Sequence, residues 1–466
     1  MTSEIRVNKI ENRSGLGTVT FADTGVDLAG IVTATTFSGS GASLTALPSA
    51  QLSGALPAIS AASLTNVPAA NVVGVHTSLT VTNATTTGSA VVGGGVTISE
   101  SGIEASGIGI TCANINGGSI GGRRNLIING AMNVAQRGTS STSSGFYTVD
   151  RFQVNFTGTN EAPTQAQVAL TSSDTPYGSG FRYAYKVTNG NQTGGGGAAK
   201  FIRFKTTLEA QDIASSGWDY VSSSSFVTLS FWVKASVAQT YYGRLQTEDG
   251  TARNYPFSFA LSANTWTKVT KTISGNTSPT LQFDNNNAAG LILEIVPYYG
   301  TDYTGSMSLN TWATYSDRTP DNTATWYETD DATFELTGVQ LEVGSQATAF
   351  EHRSYGEERQ LCKRYFQFAG GSHWGSTESS ANYRIQVQLE PEMRASPTVT
   401  VKSGGVFNTR YSGSDVAITN PTKGTTAIKS RYIWTTVESS GLTNHRTLVG
   451  RSANVNADYL NCDAEL

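Results

Sequence analysis

The hydrophobic and polar positions of this chain fall into three regimes. Near the start, Ile5 and Val7 alternate with Glu4, Arg6 and Asn8, the period-two pattern of a half-buried strand. Asn12-Arg13-Ser14-Gly15 is turn chemistry, and residues 18–21 read as a second strand. Over residues 28–99 the pattern turns uniform and uncharged. The motif Ser43-Leu-Thr-Ala-Leu-Pro48 recurs as Ser63-Leu-Thr-Asn-Val-Pro68, and a proline also follows Leu56. Each proline removes a backbone donor and pushes the residue before it toward extended geometry, so no long helix runs here. Residues 96–111 then place Ile and Gly at short steps, a β-rich continuation. From Asn125 strand patterns alternate with turn signals, the layout of an all-β sandwich.

Within the third regime the clearest strand is 226–234, with Val227, Leu229, Phe231 and Val233 on one face and Thr228, Ser230, Trp232 and Lys234 on the other. Further strands are expected at 181–187, 200–206, 265–273, 291–296 and 333–341. Long loops rich in Ser, Asn, Thr and Gly separate them, at 215–225, 274–290 and 301–331. Ser354 with Glu357 three residues on forms a capping box and opens a short helix to about Arg364. Strands at 383–389, 397–401, 428–436 and 455–466 read as a last, smaller β domain.

Charge changes this picture in one place. Residues 28–99 contain no Asp, Glu, Lys or Arg, and His76 is their only titratable side chain, whereas a soluble surface usually carries charge on about a quarter of its positions. Leu, Ile, Val and Phe supply 20 of these 72 residues, more than a disordered chain carries. The stretch therefore reads as an elongated shaft whose short repeats need neighbouring repeats or other chains to bury their apolar side chains. The whole chain of 466 residues is 14% charged with net charge −4, which gives no reason to expect nucleic acid as a partner. No run of apolar residues is long enough to span a membrane, so no membrane insertion is expected. Cys112, Cys362 and Cys462 are odd in number and far apart, which excludes a dense disulfide framework. The first ten residues lack the apolar core of a signal peptide, so synthesis and folding in a reducing cytoplasm are expected.

Several stretches carry a resemblance. The head Glu4-Ile-Arg-Val-Asn-Lys-Ile-Glu-Asn-Arg-Ser-Gly15, the Leu-Thr-x-Leu-Pro repeats, Arg123-Arg-Asn-Leu-Ile-Ile-Asn-Gly-Ala-Met-Asn-Val-Ala-Gln-Arg-Gly138 and Phe334-Glu-Leu-Thr-Gly-Val-Gln-Leu-Glu342 resemble tail fibre proteins of marine, cyanobacterium-infecting bacteriophages. Met393-Arg-Ala-Ser-Pro-Thr-Val-Thr400 and the closing Asp-Ala-Glu-Leu resemble the distal domain of many phage fibres. The resemblance implies an all-β homotrimeric fibre located in the virion, with an intertwined shaft, a carbohydrate-binding-like jelly roll and a distal knob. It implies attachment at 1–27, through Ile5, Arg6, Val7 and Lys9, to phage baseplate or tail proteins. The shaft would then be 28–122, the sandwich 123–353 and the knob 354–466. The function implied is adsorption to a host surface polysaccharide, lipopolysaccharide or similar. A depolymerase acting on the same glycan and a purely structural virion fibre remain alternatives.

Two common catalytic patterns are missing from the sequence: there is no His-Glu-x-x-His and no Cys-x-x-Cys. The densest acidic cluster, Glu328, Asp330, Asp331 and Glu335, offers hard oxygen ligands for a structural calcium ion or a carboxylate pair, and a solvated loop is the plainer reading. We expect no catalysis and no cofactor. Sugar binding asks only for an aromatic ring to cover the C–H face of a pyranose and polar groups to bond its hydroxyls. The loop aromatics suited to this are Trp218, Tyr220, Trp312, Tyr315, Trp326 and Tyr327, with His373, Trp374 and Tyr411 at the distal tip. Trp232 and Trp266 lie in expected strands and are assigned to the core.

Overall fold

The computed structural model describes residues 9–11, 18–23, 25–29, 31, 33, 35, 36, 38, 90–92, 96–99, 102–105, 123–370, 373–377, 382–401, 407–411, 414–417, 420–428, 432–438, 447–452 and 458–466. It is of a single chain, which divides into two compact units, Met1–Ser106 and Gly107–Leu466. In the first unit β1 (Lys9–Glu11), β2 (Thr18–Ala22) and β3 (Gly25–Ala29) form an antiparallel sheet. A second antiparallel sheet joins β4 (Ala90–Val92), β5 (Val96–Ser99) and β6 (Gly102–Ala105). Lys9 sits in β1 and is exposed; Ile5, Arg6, Val7 and most of the expected shaft lie outside the described residues.

The second unit is built on a sandwich of two six-stranded antiparallel sheets. The strands run in order β7 (Ser140–Ser141), β8 (Gln153–Thr157), β9 (Thr164–Ala169), β10 (Tyr183–Thr188), β11 (Phe201–Glu209) and β12 (Phe226–Ala235). Then follow β13 (Gln239–Thr247), β14 (Arg253–Leu261), β15 (Thr267–Ser274), β16 (Ala289–Tyr299), β17 (Ala313–Thr314) and β18 (Thr333–Val343). One sheet has the order β15-β12-β18-β10-β9-β7 and the other β17-β14-β13-β16-β11-β8. The expected inward face of β12 is completely buried at Val227, Leu229, Phe231 and Val233. It packs on Leu245, Phe257, Leu293 and Ile295 of the facing sheet within one core.

The motif that opens this unit is structural. The Asn125 side chain accepts from the backbone N–H groups of Ile127 (3.0 Å) and Leu341 (3.1 Å) and donates to the carbonyl of Val339 (3.1 Å). Asn129, at φ 60°, donates to the carbonyls of Val134 and Asp150, both at 2.8 Å. Gly130 lies so close to β18 that a Cβ there would come within 2.0 Å of the Val339 oxygen. These buried bonds satisfy the backbone where a non-strand segment threads under β18.

After the sandwich, the expected helix forms as Tyr355–Lys363, with the Ser354 hydroxyl accepting from the Glu357 N–H at 3.2 Å. It leads into β19 (Phe366–Gly370), β20 (His373–Thr377), β21 (Asn382–Gln388), β22 (Thr398–Val401) and β23 (Phe407–Tyr411). The chain finishes with β24 (Ser414–Ala417), β25 (Asn420–Ile428), β26 (Tyr432–Glu438), β27 (Thr447–Ser452) and β28 (Asp458–Asp463). They form a three-stranded sheet, β19-β28-β22, and a seven-stranded one, β24-β23-β27-β20-β21-β26-β25. Strong contacts tie the smaller sheet to the sandwich. Buried Glu209, at the end of β11, accepts from Arg364 (2.8 Å) and from the Tyr365 hydroxyl (2.6 Å). Arg151 lies 3.4 Å over the Tyr365 ring and pairs with Glu465.

Candidate functional site

Where the three-stranded sheet meets the sandwich, two rows of side chains line up. The register pairs Phe366 with Asp463 and Asp463 with Thr398, and one row further Phe368 with Asn461 and Asn461 with Thr400. Alternate residues of a strand share a face, so these six side chains form one surface. On the opposite face Gln367 and Cys462 are buried. This surface is the floor of a groove of about 800 Å³ whose other wall is Arg137 and residues 144–147, a size suited to a small ligand.

The second wall is held by the sandwich. The Gly145 N–H donates to the Val154 carbonyl (2.8 Å) and the Phe156 N–H to the Ser144 hydroxyl (3.0 Å), anchoring the 138–147 loop to β8. Gly145 has φ 123°, a conformation that side-chain-bearing residues rarely adopt, and it turns the chain so that the aromatic pair follows at the lip. Phe146 is half-buried and Tyr147 is 47% exposed. Arg137 lies 3.6 Å above the Phe366 ring and pairs with Asp463 at 3.0 Å. Its guanidinium is also 3.7 Å from Asp150 and 3.4 Å from Glu465. Burial pushes the Asp150 carboxyl up to about 6 against the pull of Arg137 and the hydrogen bonds from Gln136.

The groove therefore combines apolar ring faces with hydroxyl, amide, carboxylate and guanidinium groups. Asp463, the one acidic side chain among the described lining residues, is matched by Arg137, so those residues carry no excess charge. Such a surface suits a neutral, hydroxyl-rich ligand with an apolar ring face.

The loop tryptophans expected to bind sugar are placed elsewhere. Trp218, Trp312, Trp326 and Tyr327 are buried in the sandwich core. Their indole N–H groups donate to backbone carbonyls: Trp218 to Ser225 (3.3 Å), Trp312 to Ser274 (2.9 Å) and Trp326 to Thr333 (3.0 Å). The long polar loops 215–225 and 301–331 have too few apolar residues for cores of their own, so Trp218 in the first and Trp312 and Trp326 in the second peg them to the sandwich with rings buried and N–H groups satisfied. Tyr220 is half-buried, with its ring at 82° to Phe283, and Tyr315 is half-buried 5.4 Å from the Arg244 guanidinium. His373 and Trp374 lie in β20, a strand paired on both sides, rather than in a loop; Tyr411 ends β23. The side chains of these three fall outside the described residues.

The acidic cluster does not converge either. Glu328, Asp330 and Asp331 are exposed, and Glu328 accepts from the Gly196 N–H at 2.9 Å. Glu335 turns into β18 and pairs with Lys234 at 3.2 Å. Among the described residues no three His, Cys, Asp or Glu side chains are grouped to hold a metal ion. Trp232, in β12, and Trp266, just before β15, are half-buried and pack against a smaller hydrophobic cluster of Ala131, Leu170, Phe181 and Ala184. The Trp266 N–H there donates to Asp174 at 2.8 Å.

Sequence reasoning missed the groove residues Arg137, Phe146, Tyr147, Phe368, Thr398, Thr400, Asn461 and Asp463. Phe146-Tyr147 closes a run of Ser, Thr and Gly from Gly138, the same signal that was read at the other loops. The floor rows have no sequence signal, because their strands lie far apart in the chain.

No protein-family model and no curated protein matches the sequence. Among solved structures the chain is similar to a candidate sugar-binding protein of Bacteroides thetaiotaomicron, at 14% identity and TM-score 0.24 over 47% of this chain and 99% of that one. It is also similar to a tandem of carbohydrate-binding modules from Paenibacillus barcinonensis, at 11% identity and TM-score 0.24 over 76% of this chain and 98% of that one. A third match is a family 11 carbohydrate-binding module from Clostridium thermocellum in complex with a mixed-linked tetrasaccharide, at 9% identity and TM-score 0.22 over 46% and 98%. At scores this low the matches carry no argument, and the sandwich is read from the chain's own sheets.

Proposed function

We propose that this protein binds a neutral cell-surface glycan in the groove between Tyr147 and the β19-β28-β22 sheet. The observation that supports this is the lining: aromatic rings at the lip and floor, flanked by Thr398, Thr400, Asn461 and an internally neutralised Arg137–Asp463 pair. A pyranose would cover Tyr147 or Phe368 with its apolar face while its hydroxyls bond the polar row. We read the groove as binding without cleaving: glycoside hydrolysis canonically uses two carboxylates flanking the bond, and among the described lining residues Asp463 is the one carboxylate, engaged by Arg137.

We extend this to a receptor-binding tail fibre of a virion, in which residues 1–27 attach to tail proteins and the uncharged repeats form a trimeric shaft. That extension is supported by the sequence features of residues 4–15 and 28–99. Three copies of a weak site would raise overall binding through avidity.

The test is retention of the full chain on immobilised neutral polysaccharides (xylan, mannan and a β-glucan), with acidic alginate as contrast. Wild type should be held by at least one neutral polymer and not by alginate, and Tyr147→Ala should weaken retention about tenfold. Retention by none of them, or a Tyr147→Ala variant held as firmly as wild type, overturns the assignment of this groove.

A further inference from the structure

Three exposed tyrosines stand out among the described large apolar side chains of the second unit: Tyr147 at 47%, Tyr183 at 37% and Tyr355 at 59% exposure. Tyr147 lines the groove already described. The other two line a second cavity, of about 520 Å³, together with Asn133, Ala135, Gln167 and Arg182. Tyr183 opens β10 and Tyr355 opens the helix after the sandwich, so both rings are mounted on regular elements.

The polar groups of this cavity are set for hydroxyl recognition. Arg182 is fixed by hydrogen bonds to the carbonyls of Tyr177 (3.1 Å) and Phe181 (2.8 Å) and lies 4.0 Å over the Tyr177 ring. Gln167 donates its amide to the Met132 carbonyl at 2.6 Å, which orients its side-chain oxygen as an acceptor. Among the described residues no carboxylate lines the cavity, and Arg182, held by two backbone carbonyls, is its one charged group, with N–H donors left for hydroxyl oxygens.

The two cavities draw on one segment of the chain. Asn133 and Ala135 line the second, and Arg137 lines the first. Ala135 and Arg137 are two residues apart, so their Cα atoms lie within about 7 Å of each other, a separation that a ligand a few sugars long can bridge.

We propose that the Tyr183–Tyr355 cavity is a second sugar subsite, and that both cavities engage one extended neutral glycan chain. This rests on the glycan-binding reading of the groove and adds the length of the ligand to it: an oligosaccharide segment rather than a terminal sugar.

The experiment titrates the full chain with the disaccharide, tetrasaccharide and hexasaccharide of xylan, mannan and a β-glucan, using wild type, Tyr147→Ala and the Tyr183→Ala/Tyr355→Ala double variant. For one series, wild type should bind the hexasaccharide about tenfold more tightly than the disaccharide, from two added ring contacts. The double variant should lose that gain and keep the disaccharide affinity, while Tyr147→Ala weakens every length. Arg182→Gln, a change on the other wall, should also lower the gain. If the double variant matches wild type at every length, the second subsite is wrong and the groove assignment stands. If Tyr147→Ala changes nothing while the double variant abolishes binding, a continuous site is wrong. If wild type binds no member of any series, the glycan reading and the subsite fall together.

Discussion

Replacing Glu294 by Gln tests whether the outer face of the β17-to-β8 sheet is framework or binding surface. Glu294, in β16, is 1% exposed and faces Arg244 at 2.5 Å and Arg203 at 2.8 Å, with the Tyr299 hydroxyl donating to the same carboxylate. Burial by itself would push its pKa up, but the two guanidinium groups and the hydrogen bonds from Arg244 and Tyr299 overcome this and hold it at about 2, against an ordinary 4.5. That displacement corresponds to about 3 kcal/mol. Since the folded pKa is the lower one, this stability is fully present above about pH 4.5 and is lost as the pH falls toward 2. In the variant, two buried cations also lose their partner, so the expected loss near neutral pH is about 3–5 kcal/mol. Urea unfolding followed by tryptophan fluorescence reads it, because Trp218, Trp312 and Trp326 all lie in the same core. The difference between wild type and variant should shrink as the pH falls from about 4.5. A loss under about 1 kcal/mol, or one independent of pH, refutes the reasoning. A folded variant that no longer holds polysaccharide would move the binding site to this face.

Asp150→Asn should flatten the pH profile of stability. The buried Asp150 carboxyl titrates at about 6 instead of 3.8; the ionised form is the disfavoured one when folded, so wild type should gain up to about 3 kcal/mol relative to the variant as the pH falls from above 6 toward 4. Gly130→Ala should cost about 2–3 kcal/mol in the same unfolding assay, because its Cβ would meet the Val339 carbonyl; a neutral effect would show that the 125–130 segment shifts freely under β18.

The strand pattern of the sandwich was legible where one face is apolar without interruption. Residues 226–234 were read with the correct inward face, and β10, β11, β15, β16 and β18 lie within a few residues of their expected positions. β13 and β14 were not read. The apolar face of β13 is broken by Gly243, whose missing side chain makes room for the Phe257 ring, and the opposite face is filled by Tyr242, Arg244 and Gln246. The helix boundary was legible because its cap is local: Ser354 and Glu357 act within one turn. The Asn125–Gly130 motif was visible as a signature, but its partners, Val339 and Leu341, lie more than two hundred residues away.

The candidate site shows the same division. Composition and spacing determined that this is a β-rich chain with a charged head, an uncharged repeating stretch and aromatic-bearing loops. They could not decide which aromatics are available. A tryptophan in a polar loop looks exposed in sequence, yet three such residues are buried because a loop with few apolar groups is held by burying the ones it has. Tyr147, Tyr183 and Tyr355 remain exposed because each sits beside a cavity walled by a different part of the chain. Local periodicity reports how a segment can bury its own side chains. Whether a ring faces solvent or core depends on what long-range pairing brings against it, and only the tertiary structure decides that.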